Sequence, residues 1–258
     1  MAETGQPLLS VQGVTVRFGG IVALDGVSFD VTRGQICGLI GPNGAGKTTL
    51  FNCMSRLYNY QAGDIHFEGR SITNLATHRI AALGLGRTFQ NLAMFRTMSV
   101  LQNVMVGAHA RSACGFVSSA LRLPRVAAEE KRLREQARDI MAYLGLSAHA
   151  ERPAGDLPFG TQKRVEFARA LASEPKLLLL DEPAAGLRHK EKAALAEVLR
   201  QLRAEGLSLL IVEHDMDFVM RLCDRIVVME FGRWLMEGTP AEVQASPAVR
   251  AAYLGAEE

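Results

Sequence analysis

Gln35-Ile36-Cys37-Gly38-Leu39-Ile40-Gly41-Pro42-Asn43-Gly44-Ala45-Gly46-Lys47-Thr48-Thr49 begins as a short apolar run and breaks abruptly into glycine. It then resumes as a helical segment, Lys47 to Leu57. From Gly41 to Thr48 it fits the phosphate-loop pattern G-x-x-x-x-G-K-[ST], after a strand and before a helix. The glycines allow backbone N–H groups to turn inward around a phosphate chain, and the following helix adds its positive N-terminal end. Lys47 is placed to reach the β- and γ-phosphates, and the Thr48 hydroxyl to hold Mg²⁺. A nucleoside triphosphate site is therefore expected from Gly41, Pro42, Asn43, Gly44, Ala45, Gly46, Lys47, Thr48 and Thr49.

Upstream, apolar and polar residues alternate through Val14, Val16 and Phe18, then Val27, Phe29 and Val31. Period two predicts half-buried antiparallel strands, turning at Gly19-Gly20 and Arg33-Gly34. A further strand is expected near Gly63 to Gly69, with Ile65 and Phe67 on one face. Downstream, Leu177–Leu180, Leu209–Val212 and Ile226–Met229 are apolar on both faces, as in a parallel sheet covered by helices. Lys190–Glu205 carries Leu195, Val198, Leu199 and Leu202 at helical spacing and stops at Gly206. Strand and helix in alternation predict a doubly wound α/β fold.

Residues 91–175 interrupt that rhythm. Val126–Leu144 reads as an amphipathic helix with Leu133, Ala137, Ile140, Met141 and Leu144 on one stripe, while His109–Arg125 is irregular. A helical subdomain inserted into the α/β core is expected there. Near the end, Thr239-Pro240-Ala241-Glu242 is a capping box with proline in the first helical turn.

Other chemistry gathers at strand ends. Leu177-Leu178-Leu179-Leu180-Asp181-Glu182 delivers Asp181 to the carboxyl end of a buried strand, where a carboxylate can hold Mg²⁺. Glu182 follows, placed to polarise an attacking water. His214, in Val212-Glu213-His214-Asp215, ends another apolar strand, where ligands of such folds collect. Gln90 sits where the core passes into the insert. Leu157-Pro158-Phe159-Gly160-Thr161-Gln162 precedes an expected helix, Lys163–Ala172, whose N-terminus could present N–H groups to an anion.

Composition narrows the partners. The chain has 258 residues and a net charge of +2, from 29 basic and 27 acidic side chains. That balance gives no support for a nucleic-acid partner, which calls for a basic excess. The four cysteines are far apart without C-x-x-C pairing and read as buried small hydrophobes in a reducing compartment. The six histidines show no metal-ligand spacing with them. Met1–Gln6 is short and polar with no basic cluster, so no export signal is expected. The apolar runs fall far short of the ~20 residues that cross a bilayer. Localisation in the cytoplasm, held at a membrane only by another protein, is the expectation.

Taken in order, these segments resemble an ABC transporter ATPase cassette over nearly the full length. The resemblance implies a P-loop NTPase fold with a RecA-like parallel core, an N-terminal antiparallel β subdomain and an inserted α-helical subdomain. The implied boundaries are 8–33 and 63–70 for the β subdomain, and 34–62, 71–90 and 176–230 for the core. The helical subdomain is 91–175, and 231–258 a C-terminal hairpin and helical tail. Phe18 matches the aromatic that stacks on adenine, Gln90 the Q-loop, and Asp181-Glu182 the Walker B pair. His214 matches the switch histidine. Leu157, Pro158, Phe159, Gly160 and Thr161 match the signature loop, which in this family closes the ATP site of a second cassette docked head to tail. ATP and Mg²⁺ are implied, with Thr48, Gln90 and Asp181 at the metal and Glu182, His214 and Gln90 in catalysis. Implied partners are a second cassette, alike or different, membrane permease subunits and, indirectly, a solute receptor.

Within that family the chain is most similar to subunits that import branched-chain amino acids. The shared stretches are Phe18-Gly19-Gly20, Phe95-Arg96-Thr97-Met98, the extra residues around 109–128, Glu182-Pro183-Ala184-Ala185-Gly186-Leu187 and Ala252-Tyr253-Leu254-Gly255. Pro158 stands where serine is usual, Thr161 where glutamine is typical, and Arg188 where Asn or Asp is expected. Those departures predict weaker or asymmetric hydrolysis. The alternatives are import of another small solute such as urea, or a nucleotide-sensing cassette that hydrolyses weakly. A soluble ABC protein acting on ribosomes or DNA fits poorly, with one cassette, no heptad run and balanced charge.

Overall fold

The alternation at the N-terminus becomes a hairpin in a computed structural model of the chain, which describes residues 6–88, 94–108 and 124–254. β1 (Leu9–Phe18) pairs antiparallel with β2 (Ile21–Val31) and, on its other edge, with β4 (Ala62–Phe67), which β5 (Arg70–Ser71) extends. The order of this sheet is β2-β1-β4-β5. Val14, Val16, Val27, Phe29, Val31, Ile65 and Phe67 are buried, and the residues that alternate with them are partly or fully exposed. Period two thus places one face of the sheet on the core.

The described chain divides into two compact units, 1–80 with 176–258, and 81–175. In the first unit β3 (Ile36–Ile40), β7 (Leu177–Asp181), β8 (Ser208–Val212) and β9 (Arg225–Glu230) run parallel. β10 (Arg233–Gly238) pairs antiparallel with β9, giving the order β10-β9-β3-β8-β7. β3, β7 and β8 are buried at every position, as their unbroken apolar runs require.

The helices of this unit are α1 (Lys47–Met54), α6 (His189–Ala204), α7 (Met216–Leu222) and a tail pair, α8 (Pro240–Ala245) and α9 (Pro247–Leu254). α2 (Thr77–Ala82) lies at the unit boundary. α1 is shorter than its sequence suggests. Leu57 and Tyr58 N–H both donate to Asn52 O and Arg56 takes a positive φ of 57°, which ends the helix at Met54. The tail has its expected cap: Thr239 N–H donates to the Glu242 carboxylate at 2.7 Å and Glu242 N–H returns to Thr239 Oγ1.

In the second unit, β6 (Leu85–Arg87) precedes α3 (Val100–Ala108), α4 (Pro124–Tyr143) and α5 (Phe159–Leu171). Ala137, Met141 and Leu144 are buried along the α4 stripe. Lys131–Glu135 and Arg134–Glu130 pair on its outer face. α3 and α5 cross so closely that a Cβ on Gly107 would lie 1.9 Å from Arg169 O. α5 starts at Phe159, ahead of the Lys163 start expected from sequence. Pro158, with φ −56° and ψ 148°, serves as N-cap, and Thr161 and Gln162 N–H both donate to its carbonyl. Among the described residues, no helix is long and apolar enough to cross a membrane.

Candidate functional site

Parallel pairing brings the strand-end residues together. Leu39 of β3 and Asp181 of β7 both register on Val212 of β8, so the three strands end in one row. The phosphate loop, Glu182 and His214 therefore leave the same edge of the sheet, where open α/β sheets bind ligands.

Gly41 opens the loop at φ 151°, and a Cβ there would lie 2.1 Å from Met229 O. No other residue fits between β3 and β9 at that point. Gly46, the α1 N-cap, has φ 93° and its missing Cβ faces Ala23 O at 2.6 Å. The turn after β9 supports the loop from beside: Gly232 N–H donates to Ala45 O and Asp25 N–H to Gly232 O. Asn43, Gly44 and Thr48 are exposed, whereas Ala45 and Lys47 are buried.

Lys47 Nζ donates to Gly41 O at 2.6 Å and to Pro42 O at 2.9 Å, so the ammonium lies under the loop it serves. Burial pushes its pKa below the ordinary lysine value, and the carboxylates of Glu182 and Asp181 oppose that fall. Both acids thus act on the phosphate-loop lysine. Asp181 ends β7 and is only 3% exposed. Glu182 turns the chain with a φ of 49°, its N–H held by Val212 O. Its Oε1 lies 3.0 Å from His214 Nε2. A buried aspartate, a glutamate beside a histidine and a recessed lysine, all on one edge, match what phosphoryl transfer to water requires.

One exposed hydroxyl, Thr48, and one buried carboxylate, Asp181, make a donor set that suits Mg²⁺ completed by substrate phosphates and water. An all-protein cage is not built: no cluster of three or more His, Cys, Asp or Glu could hold a metal among the described residues. Phe18, at the end of β1, is 47% exposed and meets Tyr58 edge to face at 5.4 Å. Gln90 lies outside the described residues.

Sequence reasoning passed over three features of this site. Glu213 is 3% exposed, and its Oε1 accepts the Ala184 N–H at 2.6 Å while Oε2 accepts the His214 N–H at 3.1 Å. Burial raises its pKa above the usual carboxylate range, against the backbone N–H groups of Ala184, His214 and Asp215. Its signal was an acid directly after the apolar run Leu209–Val212. Asp215 caps α7 through Phe218 N–H and pairs with Lys192 at 2.5 Å. Burial raises the phenol of Tyr253 in α9 to about 12, with the Gly41 backbone pulling the other way. No pattern in the sequence announces that proximity.

The signature loop belongs to the second unit. Pro158 and Phe159 are exposed and Leu157 is buried. Gln162 Nε2 pins the loop by donating to Leu157 O at 2.8 Å and Gly155 O at 3.1 Å. Gly160 and Thr161 lie inside the first turn of α5, not in a loop ahead of it. Thr161 is buried and its hydroxyl accepts from Arg164, so its side chain does not face outward as a nucleotide contact would. In the first unit, Arg188 is the N-cap of α6 without a side-chain bond. A guanidinium has no acceptor, and only the Glu191 carboxylate, taking the Arg188 N–H at 2.8 Å, closes that end.

Comparison with known proteins agrees with this geometry. A family model described as ABC transporter matches residues 24–185, and the chain belongs to that family: it is an ATP-binding cassette and an ATPase. A second model, described as branched-chain amino acid ATP-binding cassette transporter, matches residues 235–258. Among individual relatives, the chain is 41% identical to the high-affinity branched-chain amino acid transport ATP-binding protein BraF of Pseudomonas aeruginosa, over 97% of this chain and 98% of that protein. It is equally similar, at 41% and with the same coverage, to LivG of Escherichia coli strain K12, described in the same words. The solved ADP conformation of MJ1267, an ATP-binding cassette of an ABC transporter, superposes with a TM-score of 0.85 at 33% identity, covering 97% of this chain and all of that one.

Proposed function

We propose that this ATPase energises uptake of branched-chain or related hydrophobic amino acids through separate permease subunits, at the inner face of the cell membrane. What supports the chemistry is the row of Lys47, Asp181, Glu182 and His214 along one edge of parallel strands. What supports the solute is 41% identity to two subunits of that transport class, extending into the tail at 235–258.

ATP binds with its phosphates in the amides of Gly41–Thr49 and its base against Phe18. Lys47 exchanges the carbonyls of Gly41 and Pro42 for phosphate oxygens, a swap that keeps its buried charge solvated by protein or substrate. Thr48, Asp181 and Gln90 would hold Mg²⁺, which would neutralise charge on the phosphates. Glu182 orients water at the γ-phosphorus and takes its proton, and His214 holds that carboxylate in place. A second cassette docks head to tail and covers the site with Leu157–Gly160. Opening and closing of that dimer moves the permease helices.

Pro158 supplies no N–H and no hydroxyl at the covering loop, and Arg188 offers no acceptor at the α6 N-cap. These favour a pairing in which a different cassette contributes the better covering loop, with unequal turnover at the two sites.

The test pairs hydrolysis with transport. Glu182→Gln should still bind ATP while its turnover drops by at least ~100-fold; an unchanged rate means that another group activates the water. Expressed with its permease and receptor subunits, the wild type should drive uptake of labelled leucine, isoleucine or valine. Uptake of urea in place of these would discard the solute and leave the ATPase mechanism standing.

A further inference from the structure

We propose that Glu213 is a positioning residue, stapling the segment that follows Glu182 to the backbone that carries His214, and so setting the register between those two side chains. The inference rests on Glu182 as the base for the attacking water and His214 as its support.

The geometry is specific. β8 lies between β3 and β7, so Glu213, the first residue past Val212, emerges in the centre of the catalytic edge. One carboxylate oxygen reaches across to the N–H of Ala184, two residues beyond Glu182, at 2.6 Å. The other accepts the N–H of His214 at 3.1 Å. A single rigid planar group therefore joins two loops that leave different strands. Below it, Glu182 N–H is tied to Val212 O at 2.9 Å. The Glu182–His214 contact of 3.0 Å is thus bracketed by one backbone bond and one carboxylate bridge.

The choice of residue also argues for a task. A carboxylate 3% exposed is expensive to desolvate, and a serine or an apolar side chain would fill a strand end at less cost. Only a carboxylate offers acceptors on both arms, which two N–H donors facing each other across the group require. A glutamine turns one arm into a donor and must abandon one of the two loops. The segment held by the Ala184 bond, Ala184 to Leu187, leads directly to Arg188 and α6. Glu213 therefore links the stretch beyond Walker B with the switch histidine.

Glu213→Gln and Glu213→Asp should both lower kcat by ~10- to 100-fold, because misplacement by ~1 Å is enough for such a loss. KM for ATP and the affinity for a non-hydrolysed ATP analogue should hold within about twofold, since the phosphate loop and Phe18 are untouched. In the background of His214→Ala, adding Glu213→Gln should cost less than about twofold more, since a residue acting through His214 has nothing left to position. Fully additive losses would show that Glu213 acts elsewhere, and an unchanged kcat would dismiss the role. Full activity of Glu213→Asp with an inactive Glu213→Gln would mean that charge, not reach, is what matters, and would also overturn it. If neither variant folds, the carboxylate is a stability element and the positioning role falls. If instead Glu182→Gln is fully active while the Glu213 variants are impaired, the mechanism around Glu182 fails, not the staple.

Discussion

Replacing Gly41 by alanine probes the phosphate loop where its backbone has least freedom. The added Cβ would lie 2.1 Å from the carbonyl oxygen of Met229, and contacts under 3.0 Å are not tolerated. Loop and strand must therefore part by about 0.9 Å. Holding alanine at φ 151° costs about 1–3 kcal/mol, and forcing the collision open about as much again. The expected loss of stability is about 2–6 kcal/mol. Function should suffer too, because Gly41 O holds Lys47 Nζ at 2.6 Å. Gly44→Ala is the control. It also needs a positive φ, 80°, but has nothing within 4 Å of its Cβ, so it should lose only about 1–2 kcal/mol. Denaturant unfolding of the nucleotide-free proteins, followed by nucleotide-binding titrations, reads both effects. Equal destabilisation by the two substitutions would refute the steric account of Gly41.

Gly107→Ala should destabilise the 81–175 unit by about 1–3 kcal/mol, since its Cβ would strike Arg169 O at 1.9 Å. Helix propensity alone predicts the opposite sign, a gain of about 1 kcal/mol, so hydrogen exchange across α3 and α5 decides between them. Stability should also fall at alkaline pH. Burial raises the thiols of Cys37 and Cys53 from 9.0 to about 12 and the Tyr253 phenol from 10.0 to about 12. The folded state keeps protons that the unfolded chain releases, so their contribution is intact below pH 9.0 and lost as pH climbs toward 12. Unfolding free energies that stay level across that window would contradict the burial of these groups. Thr239→Ala removes the α8 cap and should cost about 1 kcal/mol, read as faster proteolysis of the tail.

The local parts of the site were legible because each is written in a contiguous stretch. Gly41–Thr49 needs only glycine at the turns and lysine at the helix start, and Leu177–Glu182 only an apolar run ending in acids. The tail cap, Thr239 to Glu242, forms as its spacing dictates. Element ends were less legible. The sequence starts the signature helix at Lys163, yet the fixed φ of Pro158 makes it the N-cap that draws Gly160 and Thr161 into α5.

Sequence alone determined that a triphosphate site of this class exists and which residues flank it, since backbone stereochemistry and hydrophobic periodicity act over a few residues. Tertiary structure alone decided that Leu39, Val212 and Asp181 end in one row, that Lys47 folds back on Gly41 and Pro42, and that Glu213 reaches Ala184, 29 positions away in the chain. Those contacts depend on strand order and on which polar groups are left to pair once the sheet is buried, and neither is encoded in any single stretch.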